Sequence, residues 1–358
     1  MIQDVEILNF KCFKSLYLPE LSRINLIGGM NNVGKTALLE ALFILHDRTD
    51  PQMFLKTLGW RGVPTVPADP ASVWGPFCHQ LDLQCSVQIK VKTEGGPAIA
   101  QYRFDPAYTP VSFPEATTDA EGQAPEHIAT SNESRACPSI DIVYGSPGGH
   151  ETRQHLYLLD GKPRIDYEQQ PKPVPPAMIL VAQHRESPEK EANLLSRLIE
   201  NKNEAVVEEF LGVIHRVKDL QVVYVGQKPT IMCDIELPRM VPLGYVGNGM
   251  TRLLTIILGI TAVEGGLILI DEVENGIHPS VQERFWWAIG EAARKFKCQV
   301  IAATHSYEFL RNAHVGLRGL FEPEFRYIRL ERDGPETRAK TFNYEMLGSA
   351  LEANLEVR

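Results

Sequence analysis

An α/β fold, with a mainly parallel sheet and helices on both its faces, is the architecture that this 358-residue sequence predicts. Three observations point to it. Residues Gly29–Thr36, reading Gly-Met-Asn-Asn-Val-Gly-Lys-Thr, lie between a strand-like run at Arg23–Ile27 and a helical run at Ala37–Leu45. Strand-like and helix-like segments alternate through the second half of the chain. Leu267–Ile270 is a short apolar run that passes directly into two acids, Asp271 and Glu272.

Composition bounds the rest. Hydrophobic residues make up 44% and charged residues 23% of the chain, as in soluble globular proteins, and the length can bury a large core. A net charge of −9 argues against a surface coated in basic residues for nucleic acid, although a local basic groove would escape that count. Cys12, Cys78, Cys85, Cys137, Cys233 and Cys298 are scattered, with no CxxC pair and no zinc-like spacing. Reduced, buried thiols in a cytosolic protein are therefore expected. Met1–Phe10 carries Asp4 and Glu6 and reads as a strand, not a signal peptide. The apolar zone Leu253–Ile270 is split by Glu264, Gly265 and Gly266, which predicts a buried helix followed by a buried strand and no membrane span. A cytoplasmic location is the expectation.

Along the chain, Ile2–Leu18 alternates with the strand period and reads as an antiparallel pair. Pro51–Trp74 is rich in proline and glycine, which predicts irregular chain with one short helix. Leu81–Lys92 and Ala98–Phe104 read as strands joined by a hairpin-like connection. Asp105 to Arg135 has few large apolar residues and reads as a mobile surface insertion. Strands return at Ser139–Tyr144, at His155–Tyr167 with a turn at Asp160-Gly161, and at the fully apolar Ala177–Ala182. A helical section spans Glu189–Val217. It is followed by strands at Gln221–Val225 and Thr230–Glu236, then a helix at Gly249–Val263. Helix Ser280–Phe296, strand Gln299–Ala303, strand Phe325–Leu330 and a helix near Met346–Ala353 complete the order.

The residues of Gly29–Thr36 suit a nucleotide triphosphate. Glycines let backbone N–H groups turn inward around phosphate oxygens, and the N-terminus of the following helix adds partial positive charge. Lys35 can reach the β- and γ-phosphates, and the Thr36 hydroxyl can ligate Mg²⁺. Asn31, Asn32, Val33 and Ala37 belong to the same expected nucleotide-binding loop. Such a pattern recurs by chance, but the flanking strand and helix argue against chance here. Asp271 can orient Mg²⁺ and Glu272 can polarise the attacking water, both at the C-terminal strand end where open α/β sheets bind ligands. An apolar strand ending in two acids is common alone; its pairing with Gly29–Thr36 gives it meaning. His305, after the apolar run Gln299–Ala303, falls at the same sheet edge.

The loop, "IDEVENGIHP" at 270–279 and "ATHS" at 303–306 resemble an ABC-type ATPase, and within that superfamily the RecF, SMC and OLD-like group. The opening "ILNFKCFKSLYL" and "GMNNVGKTALLEALF" resemble the same group, and the likeness covers residues 1–45 and roughly 175–330. The resemblance implies a P-loop NTPase of the ABC-ATPase type, in which a mixed sheet carries an antiparallel β-lobe and a small helical lobe. It implies one head over 1–358, with the phosphate loop and β-lobe in 1–180, the helical and signature lobe in 185–265 and the acidic strand with the His loop in 266–358. "YVGNGM" at 245–250 takes the place of a signature loop, with Gly247, Asn248 and Gly249 facing the nucleotide of a second subunit; Tyr245 stands where a serine is usual. Asn275–His278 resembles a dimer-contacting loop. Gln183 matches the glutamine that senses Mg²⁺ and the attacking water, though an exposed strand-end glutamine reads equally well.

The resemblance thus implies ATP and Mg²⁺ as ligands and a homodimer that closes head to tail on ATP with weak basal hydrolysis. The helical part at 189–217 shows no long heptad run, which excludes the long coiled-coil subtype. The stretch from Ser306 to Arg358 is shorter than a metal-dependent TOPRIM nuclease domain, and Glu331 and Asp333 read as a turn. The leading expectation is an ATPase that drives or gates a separate effector, such as a nuclease or toxin in bacterial anti-phage defence. A RecF-like DNA repair ATPase and a nucleotide-gated scaffold with little turnover are the alternatives. DNA binding stays open, and a transporter ATPase, kinase or small GTPase fits less well.

Overall fold

The computed structural model describes residues 1–46, 53–62, 69–110, 137–146, 148–159, 162–169, 174–182, 187–212 and 217–357. The chain opens with the antiparallel pair β1 (Ile2–Phe10) and β2 (Phe13–Leu18), as their alternation predicts. Strand β3 (Ile24–Gly28) follows and runs through the phosphate loop into helix α1 (Lys35–His46). Two helices, α2 (Met53–Trp60) and α3 (Pro70–Trp74), occupy the region where one was expected. Asp69 caps α3 by accepting from Ser72 N, and Pro70 sits in its first turn, where its missing N–H costs nothing.

Strands β4 (Val87–Thr93), β5 (Gly96–Asp105), β6 (Ser139–Ser146), β7 (His150–Leu159) and β8 (Lys162–Tyr167) extend β1 and β2 into a seven-stranded antiparallel sheet in the order β2-β1-β4-β5-β6-β7-β8. The strand expected from Leu81 begins only at Val87, because residues 79–81 form a 3₁₀ turn and the chain turns again after Asp82, whose carbonyl accepts from Cys85 N at 3.3 Å. Part of the expected insertion is anchored: Tyr108 stacks on His155 with ring centroids 4.3 Å apart and donates its hydroxyl to Asp166 at 2.6 Å. Residues 111–136 and the turn at Asp160-Gly161 lie outside the described residues.

Strand β9 (Ala177–Leu180) precedes helices α4 (Pro188–Glu200) and α5 (Glu204–Gly212), then a small sheet of β10 (Asp219–Val225), β11 (Lys228–Asp234) and β12 (Val241–Pro242). Helix α6 (Asn248–Ala262) leads into β13 (Leu267–Ile270), so the long apolar zone is indeed a helix and a strand. No helix among the described residues is long and apolar enough to cross a membrane. Helix α7 (Gln282–Lys295), strand β14 (Gln299–Ala303), helix α8 (Tyr307–Gly316), strands β15 (Phe325–Asp333) and β16 (Glu336–Phe342) and helix α9 (Tyr344–Glu352) follow. Neither α8 nor β16 was foreseen. The hairpin β15–β16 turns beyond Asp333, whose carboxylate pairs with Arg338 at 2.9 Å, while Glu331 pairs with Lys340 at 2.8 Å.

The second sheet has the order β16-β15-β3-β14-β13-β9, parallel throughout except for the β15–β16 pair. Its central strands are apolar on both faces because both faces are covered. Ile24, Leu26, Ile268, Ile270, Val300 and Ala302 join the core under α6 to α9. Their alternates Ile27, Leu267, Leu269, Ile301 and Ala303 join the core around α1 and the antiparallel sheet. Helix α1 therefore lies between two sheets, which is why it is buried from Ala37 to Leu45 on all sides instead of along one stripe. All six cysteines are free thiols, and Cys78, Cys137, Cys233 and Cys298 are buried.

Candidate nucleotide-binding and hydrolysis site

The phosphate loop leaves β3 and enters α1 at Lys35. Gly29 and Gly34 adopt φ of +134° and +104°, and Asn32 between them adopts +63°. Conformation and space both demand glycine here. A Cβ on Gly29 would sit 2.4 Å from the Leu330 carbonyl oxygen, and one on Gly34 would sit 2.5 Å from Phe13 Cζ and 2.7 Å from Cys12 Sγ. Val33 and Ala37 are buried beneath the loop, while Asn31 and Asn32 are exposed. Lys35 Nζ donates to the carbonyls of Gly29 at 2.6 Å and Met30 at 2.8 Å. Burial lowers its pKa, against the attraction of Asp271, Glu274 and Glu272.

The acids stand at the C-terminal end of β13. The Thr36 hydroxyl donates to Asp271 Oδ2 at 2.8 Å, joining residues 235 positions apart in sequence. Burial raises the Asp271 pKa and Glu272 adds to the rise, opposed by the Thr36 hydrogen bond. Glu272 has φ of +44°, strained backbone of the kind that collects at functional sites. Its Oε1 lies 3.7 Å from His305 Nε2, and its Oε2 accepts from Asn275 Nδ2 at 2.7 Å. Glu274 Oε1 accepts from the His305 backbone N–H at 2.7 Å. Ser306 caps α8 by accepting from Phe309 N, so His305 is held at the sheet edge by its neighbours on both sides. Backbone bonds from Asp271 N to Leu180 O, Val273 N to Ala303 O and Thr304 N to Ile27 O stitch four strand ends into one platform.

The donor set suits Mg²⁺. A hydroxyl and a carboxylate are hard oxygen ligands, and Mg²⁺ takes one or two carboxylates together with phosphate oxygens instead of an all-protein cage. The described residues hold no cluster of three or more His, Cys, Asp or Glu that could bind a metal alone.

The expected signature residues lie apart from the loop. Gly247 caps α6 with φ of +121°, and Tyr245 is 84% exposed. An added Cβ on Gly249 would approach the Gly276 carbonyl at 3.1 Å, so Asn248, Gly249 and the Asn275-Gly276 turn form one close-packed surface. Arg252 on α6 donates to the backbone carbonyl of Asp271 at 2.9 Å, tying that helix to the acidic strand. None of Gly247, Asn248 and Gly249 is among the described residues lining the cavity beside the phosphate loop. Gln183 lies outside the described residues.

That cavity measures about 510 Å³ and runs from Lys35, Thr36 and His305 to residues the sequence reading passed over. Lys11 and Cys12, in the β1–β2 turn, form one wall, and Arg61, following α2, forms another. Both cations bind the same buried carboxylate. Glu40, only 1% exposed, accepts from Lys11 Nζ at 2.5 Å and from Arg61 Nε and an η nitrogen at 3.0 and 2.8 Å. The Glu40 hydrogen bonds push the Arg61 pKa up, while burial pulls that of Lys11 down. A glutamate at an otherwise apolar position of α1 was the available signal for a buried ion partner. Nothing local marks Arg61.

A family model described as "AAA ATPase domain" matches residues 1–96 and 179–310. An "ATP/GTP phosphatase" of Helicobacter pylori is 24% identical over 87% of this chain and 86% of its own length. An "OLD nuclease" of Thermus scotoductus is 24% identical over 86% of this chain, an alignment spanning 59% of that nuclease. Among solved structures, an Smc head bound to the C-winged helix domain of ScpA matches with a TM-score of 0.52, covering 96% of this chain and 98% of that one at 14% identity. That likeness speaks to fold. Together these findings agree with the resemblance to ABC-type ATPases of the RecF, SMC and OLD-like group.

Proposed function

This chain belongs to the AAA ATPase domain family, and from that premise we propose that it binds and hydrolyses ATP with Mg²⁺ at the edge formed by Gly29–Thr36, Asp271, Glu272 and His305. The observation that carries the reading is the Thr36–Asp271 hydrogen bond, because it joins the loop hydroxyl and the strand-end carboxylate as one oxygen pair. Thr36 and Asp271 would hold Mg²⁺, which when bound neutralises charge on the terminal phosphates. Lys35 binds the same phosphates, its ammonium turning from backbone carbonyls to phosphate oxygens. Glu272 takes the proton of the attacking water, with Asn275 and His305 orienting its carboxylate. A relative named ATP/GTP phosphatase supports hydrolysis as the reaction.

We further propose a head-to-tail homodimer in which Gly247, Asn248 and Gly249 of one copy complete the site of the other. The separation of these residues from the cavity of their own chain supports this composite site. We also propose coupling to a separate nuclease-type effector, in a role such as anti-phage defence; the relative named OLD nuclease supports the link to a nuclease. Light scattering of Glu272→Gln tests the dimer: the mass should double with Mg·ATP, and an unchanged mass refutes it. Co-purification from the native operon tests the effector, with a protein that retains no neighbour's product counting against it.

A further inference from the structure

Two large apolar side chains stand in solvent at the two loops that the proposed dimer brings together. Tyr245 is 84% exposed, two positions before Gly247, and Met30 is 74% exposed in the phosphate loop. Single exposed hydrophobic residues are ordinary on a protein surface. These two are set apart by how firmly each is aimed outward. Leu243–Tyr245 is a 3₁₀ turn closed by Val246 N donating to Leu243 O at 3.0 Å. With about three residues per turn, burying Leu243 directs Tyr245 the other way. In the phosphate loop Val33 is the buried anchor, and Lys35 Nζ holds the Met30 carbonyl at 2.8 Å, which leaves the Met30 side chain outside. Neither Met30 nor Tyr245 is among the described residues that line the cavity beside that loop.

We infer that Tyr245 of one copy packs on Met30 of a second copy of this chain, forming an apolar clasp beside each phosphate loop of the head-to-tail dimer. This rests on the composite-site reading, in which Gly247, Asn248 and Gly249 reach the phosphate loop of the partner subunit. Tyr245, two positions upstream, arrives beside them. A thioether and an aromatic ring suit each other, because sulfur is polarizable and packs favourably near a ring. Both backbones are already pinned, so docking orders little beyond side-chain torsions. The two-fold symmetry of such a dimer makes the contact twice. It also gives Tyr245 a role that the usual serine cannot fill: a short hydroxyl side chain could only meet phosphate, whereas the ring binds protein.

Light scattering over a concentration series with Mg·ATP, in the Glu272→Gln background, reads the dimer Kd. Tyr245→Ser and Met30→Ser each remove both copies of the contact, and each should raise that Kd by about a hundredfold, or about tenfold per contact. The double variant should be no more than about threefold worse than either single one, because both substitutions break the same contact. A mixture of the two single variants is decisive. Their heterodimer keeps one intact contact, Met30 of the Tyr245→Ser chain against Tyr245 of the Met30→Ser chain, and should form about tenfold more tightly than either homodimer. A misfolded variant could not rescue its counterpart in this way. An unchanged Kd in either single variant overturns the clasp. Losses that multiply in the double variant overturn it too, as does a heterodimer no tighter than the homodimers. A Glu272→Gln parent that stays monomeric with Mg·ATP overturns the composite site itself, a distinct failure.

Discussion

In the parallel sheet, β3, β13 and β14 are buried at every position, while in the antiparallel sheet β4 alternates buried with half-buried residues and faces solvent on one side. The polar residues of the first sheet therefore collect at strand ends. Those of the second spread over a face in pairs such as Lys90–Glu6 and Lys92–Asp4. Parallel strands all end on the same side, so Gly29, Asp271 and Thr304 fall along one edge whatever their distance in sequence. Antiparallel strands alternate direction and bring no such convergence. The antiparallel sheet reaches the cavity through a single turn, at Lys11 and Cys12, and through residues 76–81, where Phe77 O accepts from Lys11 N.

Substitutions at the parallel edge should have the largest effects. Lys35→Ala should lower ATP hydrolysis by about 10³-fold together with nucleotide affinity, whereas Glu272→Gln should lower turnover comparably and keep binding intact. Steady-state kinetics beside calorimetry separates the two, and a Glu272→Gln protein with wild-type turnover would remove Glu272 from the chemistry.

Glu40 asks whether the antiparallel side contributes structure or only decoration. Glu40→Gln leaves Lys11 and Arg61 without their shared buried anion and should cost about 3 kcal/mol in urea unfolding. A loss below about 1 kcal/mol would mean that both cations find water instead.

Asp271 pulls stability and function apart. Its folded pKa is raised by burial, so its protonated form is favoured by folding. The stabilisation is complete below the unfolded pKa, near the model-peptide value of about 3.9, and is lost as pH rises through the folded value. At neutral pH the ionised carboxylate is thus a cost. Asp271→Asn should raise the melting temperature at pH 7 without Mg·ATP, show a smaller gain at pH 4, and lose Mg²⁺-dependent binding. Equal melting at pH 7 would argue against a strained carboxylate.

The smallest effect belongs to the open face of the antiparallel sheet. Lys90→Ala breaks a 2.8 Å pair with Glu6 whose partners are 42% and 40% exposed, and should change stability by no more than about 0.5 kcal/mol. A larger loss would mean that this face is covered in the working protein.

How much of this was legible beforehand depends on how local each signal is. Gly29–Thr36 declared itself because one turn, two positive-φ glycines and a helix start are specified by neighbouring residues. Asp271 and Glu272 declared themselves because a strand buried on both faces admits no acid until it ends. Strand β16 and helix α8 did not, since β16 is a mixed-polarity edge strand and α8 follows directly on a loop already read as catalytic. The sequence by itself therefore determined the phosphate-binding turn, the acidic strand end and the alternation that makes a parallel sheet. Only the tertiary structure decided that Thr36 meets Asp271, that Glu40 gathers Lys11 with Arg61, and that residues 76–81 wall the same cavity. Those meetings depend on strand order and on the clamping of distant backbone, which no window of neighbouring residues encodes.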